Sequence, residues 1–252
     1  MNDKSRLAII DWGIGGVSVY KLIKSQPGNI GITYLSDTGA TPYGKMTRRE
    51  LVARLNVVID FLARQRVTHL VVGCNAASTA LPYLNTRQVK VEGVVDSAVR
   101  IAERMRPDRL GLIGGRRTVL SGIYRRALLE RGIAVEQRIA QPLSGLIESG
   151  DVSSPELRRE CHRILSPIKN CSHVLLACTH YPAITNVLRE FVSEQTVFID
   201  PAGELVNRIR RWNLSAGDRD IFMTTGDPVK MKKAARNAFG VDIKNISVIR
   251  DL

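Results

Sequence analysis

Two seven-residue stretches of the chain, THLVVGC at 68–74 and SHVLLAC at 172–178, align position for position. Each has a hydroxyl residue, a histidine, four apolar or small residues and a cysteine. Upstream of them, LAIIDWGIGG at 7–16 resembles LGLIGGRRT at 110–118. Asp11 precedes Cys74 by 63 residues, and Gly114 precedes Cys178 by 64. A chain that repeats a strand pattern at this distance is constrained to fold as two similar halves. Each half then owns a buried strand that ends in a thiol.

The remaining strand candidates are 31–35, 91–95, 134–139 and 196–199, besides 7–11 and 110–114. They are continuous apolar runs rather than alternating ones, as expected of parallel strands covered on both faces. Amphipathic stretches at 17–25, 47–65, 77–84, 97–105, 118–131, 155–169, 182–193, 202–212 and 228–239 predict helices between them. The expected fold is α/β: two similar doubly wound parallel-sheet domains facing each other across a cleft. The first domain is expected over 1–95 and the second over 96–205. The tail 206–252 is too short to stand alone and is assigned to the first.

A length of 252 residues, with 44% hydrophobic and 24% charged residues, fits a globular chain of this kind. No apolar run is long enough to span a membrane, and the N-terminus lacks a signal-peptide core. Four cysteines, without C-x-x-C spacing, point to reduced thiols in the cytoplasm. The net charge of +13 is spread over arginine pairs at 48–49, 116–117, 125–126, 158–159 and 210–211. Most fall on helix faces, and no nucleic-acid motif accompanies them. The charge suits an anionic small molecule better than nucleic acid.

Ligands of doubly wound sheets bind beyond the carboxyl ends of the strands. Three segments should meet there: Asp11-Trp12-Gly13, Cys74-Asn75-Ala76 and Cys178-Thr179-His180. The glycines after Asp11 do not fit G-x-G-x-x-G, and Asp11 would repel a phosphate. A metal site is not expected. Cys171 and Cys178 bracket a strand that holds them about 20 Å apart, so they cannot share an ion. His69 and His173 sit at strand starts and read as structural, and Cys161 and Cys171 as packing residues. Two thiols facing each other have a distinct use. One removes a proton from a carbon and the other returns one to the opposite face, with Asp11 or His180 assisting.

The motifs DWGIGG (11–16), SDTGATPYG (36–44), CNAAS (74–78), GGRRTVLSGIYRRAL (114–128), LIESG (146–150), CTHYP (178–182), IDPA (199–202) and TTGDP (224–228) together resemble the glutamate racemases. These belong to the cofactor-independent aspartate/glutamate racemase superfamily. The resemblance implies that Cys74 takes the proton from the D enantiomer and Cys178 from the L enantiomer. It implies that Asp11 assists Cys74, and that His180 with Glu148 assists Cys178. Pro42, Tyr43, Gly44, Asn75, Thr118 and Thr179 would hold the substrate, beside Trp12 and Ala76. It further implies no pyridoxal phosphate and no metal, a homodimer, and a product used in peptidoglycan.

The chain departs from the pattern where the substrate would sit. Trp12 replaces the usual serine and Ala76 the usual threonine, and Gly39-Ala40 stands where Ala-Arg is usual. Two lost hydrogen bonds at about 0.5–1.5 kcal/mol each would weaken glutamate binding about tenfold or more. Aspartate or another amino acid is therefore an alternative substrate, and a racemase-like binding or regulatory protein an alternative role.

Overall fold

The computed structural model describes residues 6–86, 89–212, 214, 216–217 and 219–252. Ten strands run through them: β1 Leu7–Asp11, β2 Ile32–Ser36, β3 His69–Val72, β4 Lys90–Gly93, β5 Leu110–Gly114, β6 Val135–Ile139, β7 His173–Ala177, β8 Val197–Ile199, β9 Ile221–Thr224 and β10 Ser247–Val248. They form two sheets, ordered β10-β9-β2-β1-β3-β4 and β6-β5-β7-β8. Every pairing is parallel. Helices cover both faces of each sheet, so the chain is a two-domain α/β fold with doubly wound parallel sheets.

The internal repeat is a repeat of construction. His69 pairs with Leu7 in one sheet and His173 with Leu110 in the other. The hydroxyl before each histidine does the same work twice. Thr68 Oγ1 accepts from the Arg6 N–H at 2.8 Å, and Ser172 Oγ accepts from the Arg109 N–H at 3.2 Å. Each hydroxyl also contacts Nδ1 of its own histidine, at 2.8 and 3.1 Å. The pair closes the start of the central strands in each half, which explains why the motif recurs.

Alternation along the strands sorts the core into three layers. Ile9, Tyr34 and Val71 of one sheet, with Ile113, Val174 and Leu176 of the other, share a central layer with the helices between the sheets. Ala8, Ile10, Leu35, Leu70 and Val72 turn outward onto the helix Arg48–Arg64. That helix starts in a full capping box between Thr47 and Glu50. Leu110, Leu112 and Leu175 turn outward onto Val94–Met105 and Ile123–Leu129. Cys161 and Cys171 lie in the central layer. Burial lifts the Cys161 thiol to about 12.

Some local expectations are corrected. Val94 and Val95, read as strand, open a helix, because Gly93 ends β4 and the two valines pack inward. The stretch 118–131 is broken at Gly122, whose positive φ of 68° separates two short helices. A helix at Gln141–Glu148 was not anticipated. The tail contributes β9 and β10 to the six-stranded sheet.

Candidate active site

The carboxyl ends of β1, β3, β5 and β7 open onto one cavity of about 420 Å³. Asp11 and Trp12 enter it from β1, Cys74, Asn75 and Ala76 from β3, Thr118 from beyond β5, and Cys178, Thr179 and His180 from β7. Pro42, Tyr43 and Gly44 come in from the loop after β2. Of the candidate catalytic and substrate-binding residues, all but Glu148 line this cavity, and Glu148 stands behind His180. Lys45, Gln141, Pro142, Ser144 and Gly145 line it too and were not foreseen. Four of these five belong to the unanticipated helix, and Lys45 has no local signal.

The two thiols keep different company. Cys74 is 9% exposed. Burial first, and then the Asp11 charge, push its thiol well above the ordinary value. Asp11 is itself buried, and that burial raises its carboxyl pKa against the pull of His180 and Thr179. Its Oδ2 accepts from the Thr179 hydroxyl at 2.8 Å, and its Oδ1 accepts from the Trp12 N–H at 2.6 Å.

Cys178 is half-buried. His180 Nδ1 lies 3.6 Å from its sulfur, and His180 Nε2 lies 2.6 Å from Glu148 Oε2. Burial works against the imidazolium, but contacts with Cys178 and Glu148 outweigh it and raise the His180 pKa well above its usual value. Glu148 Oε2 also accepts from the Ile14 N–H at 3.0 Å. Two glycines make room here. A Cβ on Gly13 would fall inside the Glu148 carboxylate, and one on Gly15 would strike Thr179, Asp11 and His180.

The helpers are cross-braced. Asp11, on the six-stranded sheet, is held by Thr179 of the four-stranded one. Glu148, from the four-stranded side, is held by the Ile14 amide of the other. Tyr124 adds a third bridge, donating to Asn75 Oδ1 at 2.6 Å. This fixes the Asn75 amide and leaves its buried Nδ2 donor without a partner among the described residues. An unsatisfied donor on a cavity wall is a place for a ligand oxygen.

The rest of the rim is built firmly. Asp37 is fully buried and accepts from Tyr43 Oη at 2.7 Å, Thr225 Oγ1 at 2.8 Å and Arg54 Nε at 2.8 Å. That network holds Tyr43 against the cavity. Trp12 is tethered, its Nε1–H donating to the Ala40 carbonyl at 2.9 Å, and it is among the residues that line the cavity. Among the described residues no group of three or more His, Cys, Asp or Glu is placed to hold a metal. No helix there is long and apolar enough to cross a membrane.

Two sheets with a thiol at equivalent strand ends, one beside a carboxylate and one beside an imidazole, bring groups able to exchange protons to a single cavity. Comparison with known proteins gives that arrangement its family. Residues 19–209 match the Asp/Glu/hydantoin racemase family, and the chain belongs to it. A glutamate racemase of Exiguobacterium sibiricum is 30% identical over 245 residues, covering 91% of this chain and 90% of that one. The glutamate racemase structure from Thermus thermophilus, in complex with β-chloro-D-alanine, superposes with a TM-score of 0.86 at 26% identity over 99% and 98% of the two chains. The fold also matches that of Francisella tularensis glutamate racemase, in complex with D-glutamate, at a TM-score of 0.88, with 22% identity over 98% of each chain. The protein is an amino-acid racemase of the glutamate racemase type, and so an isomerase.

Proposed function

We propose that the chain interconverts L- and D-glutamate through two thiols and without a cofactor. The observation that carries the reading is that Cys74 and Cys178 share one cavity while each has its own proton-handling neighbour. Cys74, relieved of its proton by Asp11, takes the α-proton of the D enantiomer. The Cys178 thiol then returns a proton to the opposite face. For the L enantiomer the roles reverse, with His180 and Glu148 steadying the Cys178 thiolate. The free Asn75 donor, Thr118 and Thr179 suit the α-carboxylate and amine, and Lys45 at the mouth suits a second carboxylate. A cytoplasmic homodimer is the proposed setting. Sheet membership supports a domain division into 1–95 with 206–252 and 96–205.

Trp12 supports a second reading of the substrate. Its pinned indole occupies wall where a small hydroxyl residue would leave space, so aspartate or another amino acid competes with glutamate. Following inversion and α-proton exchange in D₂O across an amino-acid panel tests both. The expected result is inversion of glutamate, falling by about 10³-fold or more in Cys74→Ala and in Cys178→Ala. Inversion that survives either change overturns the two-thiol mechanism. A faster glutamate turnover in Trp12→Ser assigns the specificity to the indole, and wild-type protein that exchanges nothing returns the chain to a binding role.

A further inference from the structure

Members of three of the arginine pairs scattered through the sequence converge in space. Arg48, Arg116, Arg117 and Arg126 line a second cavity of about 480 Å³, which adjoins the first at Gly44. No Asp or Glu lines it among the described residues. None of the four guanidiniums is in an ion pair there. Elsewhere the chain does pair its arginines, as with Arg54 and Asp37 or Arg208 and Glu92. Four positive charges without an acidic partner around one hollow leave it open to an anion, although Arg48, Arg116 and Arg126 are exposed and partly screened by solvent.

Their placement is ordered. Arg117 Nε donates to Thr79 Oγ1 at 3.1 Å and its Nη1 to the Met46 carbonyl at 2.7 Å. Burial and the nearby Arg48 charge lower its pKa, as expected of a crowded cation. Arg48 stacks on the Tyr83 ring at 4.9 Å, and Arg126 donates to the Ser121 carbonyl at 3.0 Å. Arg48, Thr79 and Tyr83 belong to the six-stranded side. Arg116, Arg117 and Arg126 belong to the four-stranded side.

We propose that this hollow is a binding site for a small phosphorylated anion that bridges the two halves beside the active site. Guanidinium forks match phosphate oxygens two at a time. An occupant holding Arg48 on one side and Arg116 and Arg126 on the other stiffens the mouth of the cleft, using the latch that Arg117 already makes. The site stands apart from the proton-transfer groups and does not depend on which amino acid is the substrate.

The test is calorimetric titration of the whole protein with inorganic pyrophosphate at constant ionic strength, with melting temperature as a second readout. One-site binding at about millimolar concentration or below is expected, with a raised melting temperature. Arg116→Ala/Arg126→Ala, two exposed side chains, should weaken it at least tenfold and leave basal amino-acid turnover unchanged. Citrate of comparable charge should bind at least tenfold more weakly. No heat with pyrophosphate overturns the site. Equal affinity for citrate overturns its phosphate character. A short single-stranded oligonucleotide that binds more tightly than pyrophosphate through the same arginines overturns the small-molecule assignment.

Discussion

The two walls of the active site begin alike and end differently. On each, a buried parallel strand delivers a cysteine to the same cavity, after a hydroxyl–histidine pair has closed the strand's start. Beyond the cysteine the likeness stops. Cys74 is buried beside a carboxylate that is itself reluctant to ionise. Cys178 is more open and sits beside the His180 imidazole, whose pKa is raised by its contacts with Cys178 and Glu148. Duplicated scaffolding thus places the thiols, and their neighbours are unlike. In the proposed mechanism, mirror-image substrates meet groups that are not mirror images.

Breaking one wall should reveal this difference. His180→Asn should lower kcat/KM about 10²-fold in both directions, because the equilibrium constant of a racemisation is one and cannot change. Sidedness lies in the isotope effect with α-deuterated substrate. It should grow for the L enantiomer and shrink for the D enantiomer, as abstraction by Cys178 becomes limiting. Asp11→Asn should give the reverse pattern, and equal isotope effects in both variants would erase the proposed distinction.

Stability against pH sharpens it further. A histidine whose folded pKa is raised contributes stability fully below its ordinary value of about 6.5 and loses it as pH rises through the folded value. Glu148→Gln, by weakening that rise, should move the alkaline loss to lower pH. Asp11 has the opposite consequence for an acid. Its raised pKa means that ionisation costs stability as pH climbs from about 3.9 through the folded value. Asp11→Asn should therefore melt at or above the wild-type temperature at neutral pH while losing activity. Thermal melts over a pH series check both. The smallest effect is in labelling: iodoacetamide should modify Cys178 before Cys74 and leave Cys161 and Cys171 untouched until the chain unfolds. Mass mapping of the adducts reads the order.

Much of the fold was legible because burial is written locally. β1 and β5 are continuous apolar runs, and their bounds are those the sequence gives. The helix Pro228–Phe239 is equally plain, with Asp227 as its cap. What stayed hidden depends on distant partners. Gln141–Glu148 carries Pro142, Ser144 and Gly145, which look like breakers. It is held as a helix because Leu143 and Ile147 bury in the central layer. β9 and β10 are short and partly or wholly exposed, and only their pairing next to β2 makes them strands. The segments of the candidate site could be picked out by their chemistry at strand ends. The convergence of Arg48 with Arg116 and Arg126 could not, since it depends on how two halves meet.

The crossed bonds through Thr179 and Ile14 have a consequence for inhibition. Each half holds the other's proton-handling helper in place. A molecule lodged in the cleft mouth that merely kept the halves apart would release Asp11 and Glu148 together. It would silence both directions of the reaction without touching either sulfur, and substrate, which needs the halves joined, would oppose it from a distance through the same linkage.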